Sequence, residues 1–188
     1  MNQTKTIIQE IFQLFEKYGR EQYGEDITQE EHALQSALLA EKEGFDNEVI
    51  IAALLHDIGH LFSEISSEEK MGDLGIMSHE KVGADYLRNK GFSEKIALLV
   101  EGHVEAKRYL TFKYPEYYFQ LSEASKKTLK YQGGVMNEEE AKIFENHPLF
   151  KLNLKMREWD DMAKIEDLKL PEINDYKSLI ENHLEAKN

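Results

Sequence analysis

Apolar positions recur at helical spacing along nearly the whole chain. Ile7, Ile8, Ile11, Phe12, Leu14, Phe15 and Tyr18 make a first stripe, which Gly19 ends. A polar stretch, Arg20 to Ile27, leads to Thr28-Gln29-Glu30-Glu31, a capping-box pattern opening a helix through Leu34, Ala37, Leu38 and Ala40 to Gly44. Asp46 is placed to cap a third helix, whose run Ile50 to Leu55 is apolar without a break and so predicts burial on every side. That run ends in His56-Asp57-Ile58-Gly59-His60. Leu61 to Met77 is polar, carries Gly72 and Gly75, and predicts a loop of about fifteen residues, a length usually kept for binding segments.

Further along, Ser78 is the expected cap of a helix from His79 to Gly91, and Ser93 of one leading to Gly102-His103. Tyr109 to Phe119 is aromatic and broken by Pro115. Ser122 caps a helix to Tyr131 that Gly133-Gly134 ends, and Asn137 opens another. Pro148 starts the helix bearing Phe150, Leu152, Leu154, Met156 and Trp159, and Asn174 to Leu184 is a last amphipathic helix. There is no strand pattern, repeat or linker. The expectation is one compact all-α helical bundle over residues 1–188.

The 188 residues suffice for one domain with a sizeable core. A net charge of -13 argues against a nucleic-acid surface, which needs clustered Lys and Arg. It also means that an anionic substrate must meet a local positive pocket. No apolar run approaches the ~20 residues of a membrane span, and the N-terminus lacks the plan of a signal peptide. With no cysteine, any metal must be held by nitrogen and oxygen, and a cytoplasmic location fits.

An adjacent His56-Asp57 pair at the end of the most apolar helix demands a partner, because burying an unpaired polar group costs roughly 2–7 kcal/mol. Taken alone, the pair reads more simply as a core histidine beside a capping aspartate. Five of the seven histidines, however, lie between positions 32 and 103, and His32, His56, His79 and His103 fall at expected element ends. With Asp57 and Asp160 they offer four imidazoles and two carboxylates from five helical segments. One catalytic metal usually takes about three protein ligands, so two ions fit better, with Asp57 placed to bridge. The donor types suit Fe, Mn or Zn rather than Ca or Cu(I).

At these residues the chain resembles the HD-domain superfamily of helical metalloenzymes, through His32, His56-Asp57 and Asp160, with His79 and His103 as second-metal ligands. More closely, it is similar to the mixed-valent diiron oxygenases that cleave 2-amino-1-hydroxyethylphosphonate. The likeness runs through His56-Asp57-Ile58-Gly59-His60, His79 to Arg88, Glu101-Gly102-His103 with Ala106 to Leu110, Lys127-Thr128-Leu129 with Tyr131-Gln132-Gly133-Gly134, and Trp159-Asp160. It implies a single HD domain with a metal-binding core over about 28–165, the terminal helices packed on it. It further implies two iron ions, Fe(II) and Fe(III), with O2 as co-substrate and a small organophosphonate as partner. His32, His56 and Asp160 would hold one iron, His79 and His103 the other, and Asp57 would bridge.

The phosphonate contacts implied are His60, Lys107, Ser125, Thr128 and Arg157. Lys107 stands four residues after His103, Arg157 three before Asp160, and Ser125 three before Thr128, so each can share a helical face with its neighbour. A tyrosine and a glutamate spaced Tyr-x-Gly-Glu would recognise the substrate amine. Here the segment is Tyr23-Gly24-Glu25, one residue shorter. The implied reaction is oxidative C–P cleavage that releases phosphate and glycine, or an N-methylated glycine. A metal-dependent phosphohydrolase or phosphodiesterase is the alternative activity, and a catalytically dead binding module a third. Cyclic-dinucleotide members of the hydrolase kind carry adjacent histidines, whereas His103 is followed by Val104.

Overall fold

A computed structural model describes residues 3–62 and 71–186. The described residues are helical with no β-strand. The helices are α1 (Gln3–Tyr18), α2 (Gln29–Lys42), α3 (Asn47–Leu55), α4 (His79–Asn89), α5 (Glu94–Lys113), α6 (Tyr117–Gln120), α7 (Glu123–Tyr131), α8 (Glu138–Glu145), α9 (Phe150–Met162) and α10 (Lys177–Glu185), with short 3-10 turns at Ile58–Leu61 and Ile173–Tyr176. This is the all-α bundle that the periodicity implies. Among the described residues no helix is long and apolar enough to cross a membrane.

The core is built around α3. Every residue from Val49 to Leu55 is buried, so the helix is apolar all round and must lie inside. Asp46 caps it by accepting from the Glu48 and Val49 amides. It packs on α2 and α5, and α5 in turn on α4 and α9. α1 and α10 lie together against the same core, through Ile8, Ile11, Ile180 and Leu184. A second, smaller apolar cluster joins α5 to α8 through Ala106, Tyr109, Met136, Ala141 and Phe144.

The caps at Thr28, Ser93, Ser122 and Asn137 form as their sequence implies. Two expectations need correction. Ser78 sits at the N-cap of α4 but in the left-handed region (φ 58, ψ 28), and its hydroxyl makes no capping bond. A capping hydroxyl needs an extended backbone to reach the third amide. Instead the Ser78 carbonyl accepts from Lys81 and Val82. The second correction is at Gly102, which does not end a helix: α5 runs on for three more turns, and His103 lies inside it. The glycine is there for space, since a Cβ would stand 2.4 Å from Asn153 Nδ2 of α9. Part of the expected loop, residues 63–70, lies outside the described residues. The rest turns inward, with Met71 and Ile76 buried.

The 3-10 turn after α3 touches α4 backbone to backbone. A Cβ on Gly59 would lie 2.0 Å from the His79 carbonyl oxygen and 3.0 Å from the Gly83 amide. This contact brings His79 to the end of α3. Gly59→Ala should therefore cost about 1–3 kcal/mol through overpacking and lower metal content, because His79 must move. An unchanged melting temperature and a full metal complement would show that the contact tolerates a side chain.

Candidate metal centre

Five segments converge at the C-terminal end of α3: the first turn of α2 with His32, the end of α3 with His56 and Asp57, the start of α4 with His79, the middle of α5 with His103, and the last turns of α9 with Asp160. Asp160 follows Trp159, which is fully buried, edge-on to Phe45, and donates to Glu43 Oε1 at 2.9 Å. That anchor sets the rotation of α9. The C-terminus of a helix also favours positive charge, and α3 ends at this centre.

The side chains form two histidine pairs around one carboxylate. His32 Nε2 and His56 Nε2 are 3.1 Å apart and each 3.6 Å from Asp57 Oδ2, and His32 Nε2 is 3.3 Å from Asp160 Oδ1. On the other side, His79 Nε2 and His103 Nε2 are 3.1 Å apart, at 3.2 and 3.4 Å from Asp57 Oδ1. Each oxygen of Asp57 thus faces one pair. Donors sharing an ion at bonds of about 2.1 Å stand roughly 3.0–3.4 Å apart, and most of these separations fall there.

Tautomers sharpen this. The Nδ1 atoms of His32, His56 and His103 lie 2.6–2.8 Å from the carbonyl oxygens of Ala163, Ala53 and Val100. Each Nδ1 must donate there, which leaves Nε2 with a lone pair. His79 Nδ1 and Glu80 Oε2 are both buried without a hydrogen-bond partner, yet face one another at 3.5 Å. Lone pairs facing at 3.1 Å repel unless a proton or a cation stands between them. A carboxylate or carbonyl holding the outer nitrogen is also the usual support of a metal-bound imidazole. Asp57 makes no capping bond for the 3-10 turn that follows it, so the simpler capping reading fails.

His60 departs from the four. It groups with Asp57 and His79 as a possible ligand, but its Nδ1 accepts from the Ile76 amide at 2.9 Å. Its Nε2 therefore bears the proton and is a donor rather than a ligand. His60 stacks on His79 with centroids 3.8 Å apart. Gly75 (φ +90) permits this, since a Cβ there would strike the His60 ring at 2.4 Å.

The centre opens into a narrow cleft of about 70 Å³, several times the ~10–15 Å³ that one water needs. Lys107 is buried and donates to Thr128 Oγ1 at 3.0 Å. Burial, and then Arg157, push its pKa down to about 7. Arg157 is buried and largely occupied by protein: Nε donates to Tyr117 Oη at 2.9 Å, Nη1 to Asp160 Oδ2 at 2.6 Å, and Nη2 to Asp161. Nη2 also approaches Ser125 Oγ at 3.5 Å. Arg157 thus holds the far oxygen of Asp160 while the near one faces His32. Tyr23 lines the cleft, tilted against His60 and bonded to its carbonyl at 3.1 Å.

All thirteen residues singled out in the sequence meet at this centre or along its cleft. Others went unnoticed. Lys164 reaches Glu25, Tyr117 and Asp161 clasp Arg157, Glu80 faces His79, and Gln29 and Gln132 turn buried, unpartnered Oε1 atoms within the cleft lining. Lys164 follows Asp160 by four residues but lies beyond the end of α9, so helical spacing carries no signal for it.

Burial works against protonating His32 and His79, but neighbouring carboxylates outweigh it: Asp160 and Asp57 at His32, Asp57 and Glu80 at His79. Both pKa values are raised. His56 is pushed down, to about 4, mainly by burial. Burial would raise Asp57 and Asp160, yet surrounding imidazoles, and Arg157 at Asp160, hold both well below the usual range. The carboxylates therefore stay ionised to lower pH than free ones, and His32 and His79 hold their protons to higher pH than a free imidazole. A metal must displace those protons. Calorimetry of Fe(II) binding near pH 7 should show net proton release as a dependence on buffer ionisation heat. Affinity should rise with pH through the raised histidine values and fall below them. Binding without proton exchange would contradict the arrangement.

The HD-domain profile matches residues 29–146, a stretch that holds five of the six clustered residues and stops before Asp160. An uncharacterized protein of Acanthamoeba polyphaga mimivirus is 46% identical over 97% of this chain and 85% of its own length. A hydroxymethylphosphonate dioxygenase of Gimesia maris is 39% identical, over 93% of this chain and 87% of its own. A [1-hydroxy-2-(trimethylamino)ethyl]phosphonate dioxygenase (glycine-betaine-forming) of Leisingera caerulea is 42% identical, over 88% and 84%. The chain belongs to the HD-domain family, in the group that includes these phosphonate dioxygenases.

Proposed function

We propose that the chain is a diiron oxygenase that cleaves the C–P bond of a 1-hydroxyphosphonate, the class to which 2-amino-1-hydroxyethylphosphonate and its N-methylated analogues belong. One O2 would be consumed for each phosphate and carboxylic acid formed; the acid is glycine or its N-methylated form for the aminated substrates. The observation that carries this is Asp57, each of whose oxygens faces one histidine pair. The ligand set is His32, His56 and Asp160 for one ion, His79 and His103 for the other, and Asp57 between them.

Donors of imidazole and carboxylate without thiolate suit iron. The carboxylate-rich half, with Asp160 as well as Asp57, favours the higher ionic charge, in keeping with an Fe(III)/Fe(II) pair. The other half has fewer protein donors, which leaves room for a chelating substrate. When bound, the irons would supply Lewis acidity toward the substrate's hydroxyl and phosphonate oxygens and electrons for O2. The chain's own groups bind and orient: Lys107 with its charge, Ser125 and Thr128 with hydroxyls, His60 with an Nε2 proton, and Arg157 through Ser125 and Asp160. A cytoplasmic location belongs to the same proposal, since a cysteine-free chain gains nothing from an oxidising compartment.

Phosphate release should require O2 and stop under strict anaerobiosis. Turnover of phosphate esters without oxygen would favour the hydrolase reading. Asp57→Ala should lose both ions, and two tightly held irons in that variant would remove Asp57 from the bridge. Lys107→Met should raise KM by about 10–100-fold, the worth of a hydrogen bond to a charged group. Because Lys107 is charged only below its pKa, kcat/KM should fall as pH rises past about 7, and that limb should flatten in Lys107→Met. A retained limb would assign it elsewhere.

A further inference from the structure

Among the described residues lining the cleft, Glu25 is the one carboxylate outside the proposed ligand set. It is not free to meet a ligand. Lys164 Nζ donates to Glu25 Oε1 at 2.7 Å, and Ser122 Oγ donates to the same oxygen at 2.6 Å. The ammonium also lies 3.3 Å from Ser122 Oγ and 3.4 Å from Ser125 Oγ, so it is held from three sides. Both side chains are sheltered, at 20% and 24% exposure. Such a pair adds little to stability. Its effect is on recognition, because a carboxylate suited to a substrate ammonium is already neutralised by the chain's own lysine.

We infer that the cleft selects 1-hydroxyphosphonates whose organic substituent carries no cation, and that Lys164 sets this preference by occupying the place of a substrate ammonium. The inference rests on the phosphonate-oxygenase reading and narrows its substrate. To reach Glu25, a cationic substituent must expel Lys164, and the displaced lysine then faces a like charge near Lys107 and Arg157. An uncharged substituent leaves the pair intact. The two phosphonate dioxygenases similar to this chain differ in name at this point, one acting on a hydroxymethyl and the other on a trimethylammonium substrate. Identities of 39% and 42% do not choose between them; the inferred preference rests on the Lys164–Glu25 pair.

The test compares kcat/KM for hydroxymethylphosphonate, 2-amino-1-hydroxyethylphosphonate and the trimethylammonium analogue in air, using the iron-loaded chain, Lys164→Met and Lys164→Arg. The natural chain should favour hydroxymethylphosphonate by about tenfold or more, as like-charge juxtaposition demands, with formate as the organic product. Lys164→Met should move the ranking toward the aminated substrates by about tenfold, through KM, and Lys164→Arg should restore it. Preference of the natural chain for an aminated substrate overturns the inference alone. So does an unchanged ranking in a Lys164→Met protein that keeps its iron, or equal loss on all three substrates. Absence of phosphate release from every substrate overturns the oxygenase reading and this inference with it.

Discussion

The structure turns on one electrostatic constraint: imidazole lone pairs and a carboxylate gathered where water is scarce. Four Nε2 atoms surround Asp57 at 3.2–3.6 Å, and the outer nitrogens of three rings are committed to backbone carbonyls. Without positive charge at its centre this cluster is self-repelling. The raised proton affinity of His32 and His79 answers part of that need, and metal cations would answer it more fully. The apolar α3 makes the constraint severe, because it carries Asp57 to the boundary of a fully packed core. Close contacts at Gly59 and Gly102 bring the segments bearing His79 and His103 nearer to their neighbours than a side chain would allow, and Gly75 admits the His60 ring.

Much of the centre was legible in the sequence. Residue types and the periodicity gave an all-α chain, and the His-Asp pair ending an all-apolar helix pointed to its own site. What the sequence hid was mostly a matter of depth and of distant partners. Gly102 looked like a helix stop because glycine often is one; only the approach of Asn153 from α9 reveals its role. Ser78 looked like a cap, but serine chemistry carries no information on the left-handed backbone that denies its hydroxyl the third amide. Lys164 lies past the end of α9 and meets Glu25 only through tertiary structure.

Arg157 illustrates the limit of transferring a role by spacing alone. Its position three residues before Asp160 implies a shared face, and the two do touch. The guanidinium is nevertheless divided among Asp160, Asp161 and Tyr117. Its planar fork suits it to orienting a carboxylate in a way a lysine would not. An anion in the cleft would then be met more by Lys107, whose charge depends on pH, than by the permanently charged arginine.

Asp160 comes from α9, whereas its nearest metal-facing neighbour, His32, comes from α2. An ion gripped by both would be a cross-link closing a loop through most of the chain. By analogy with a disulfide spanning about 100 residues, such a closure withdraws on the order of 4–5 kcal/mol of denatured-state entropy. The same ions would then serve as a reversible staple. Loss of the ions would cost this chain rigidity between its early and late helices.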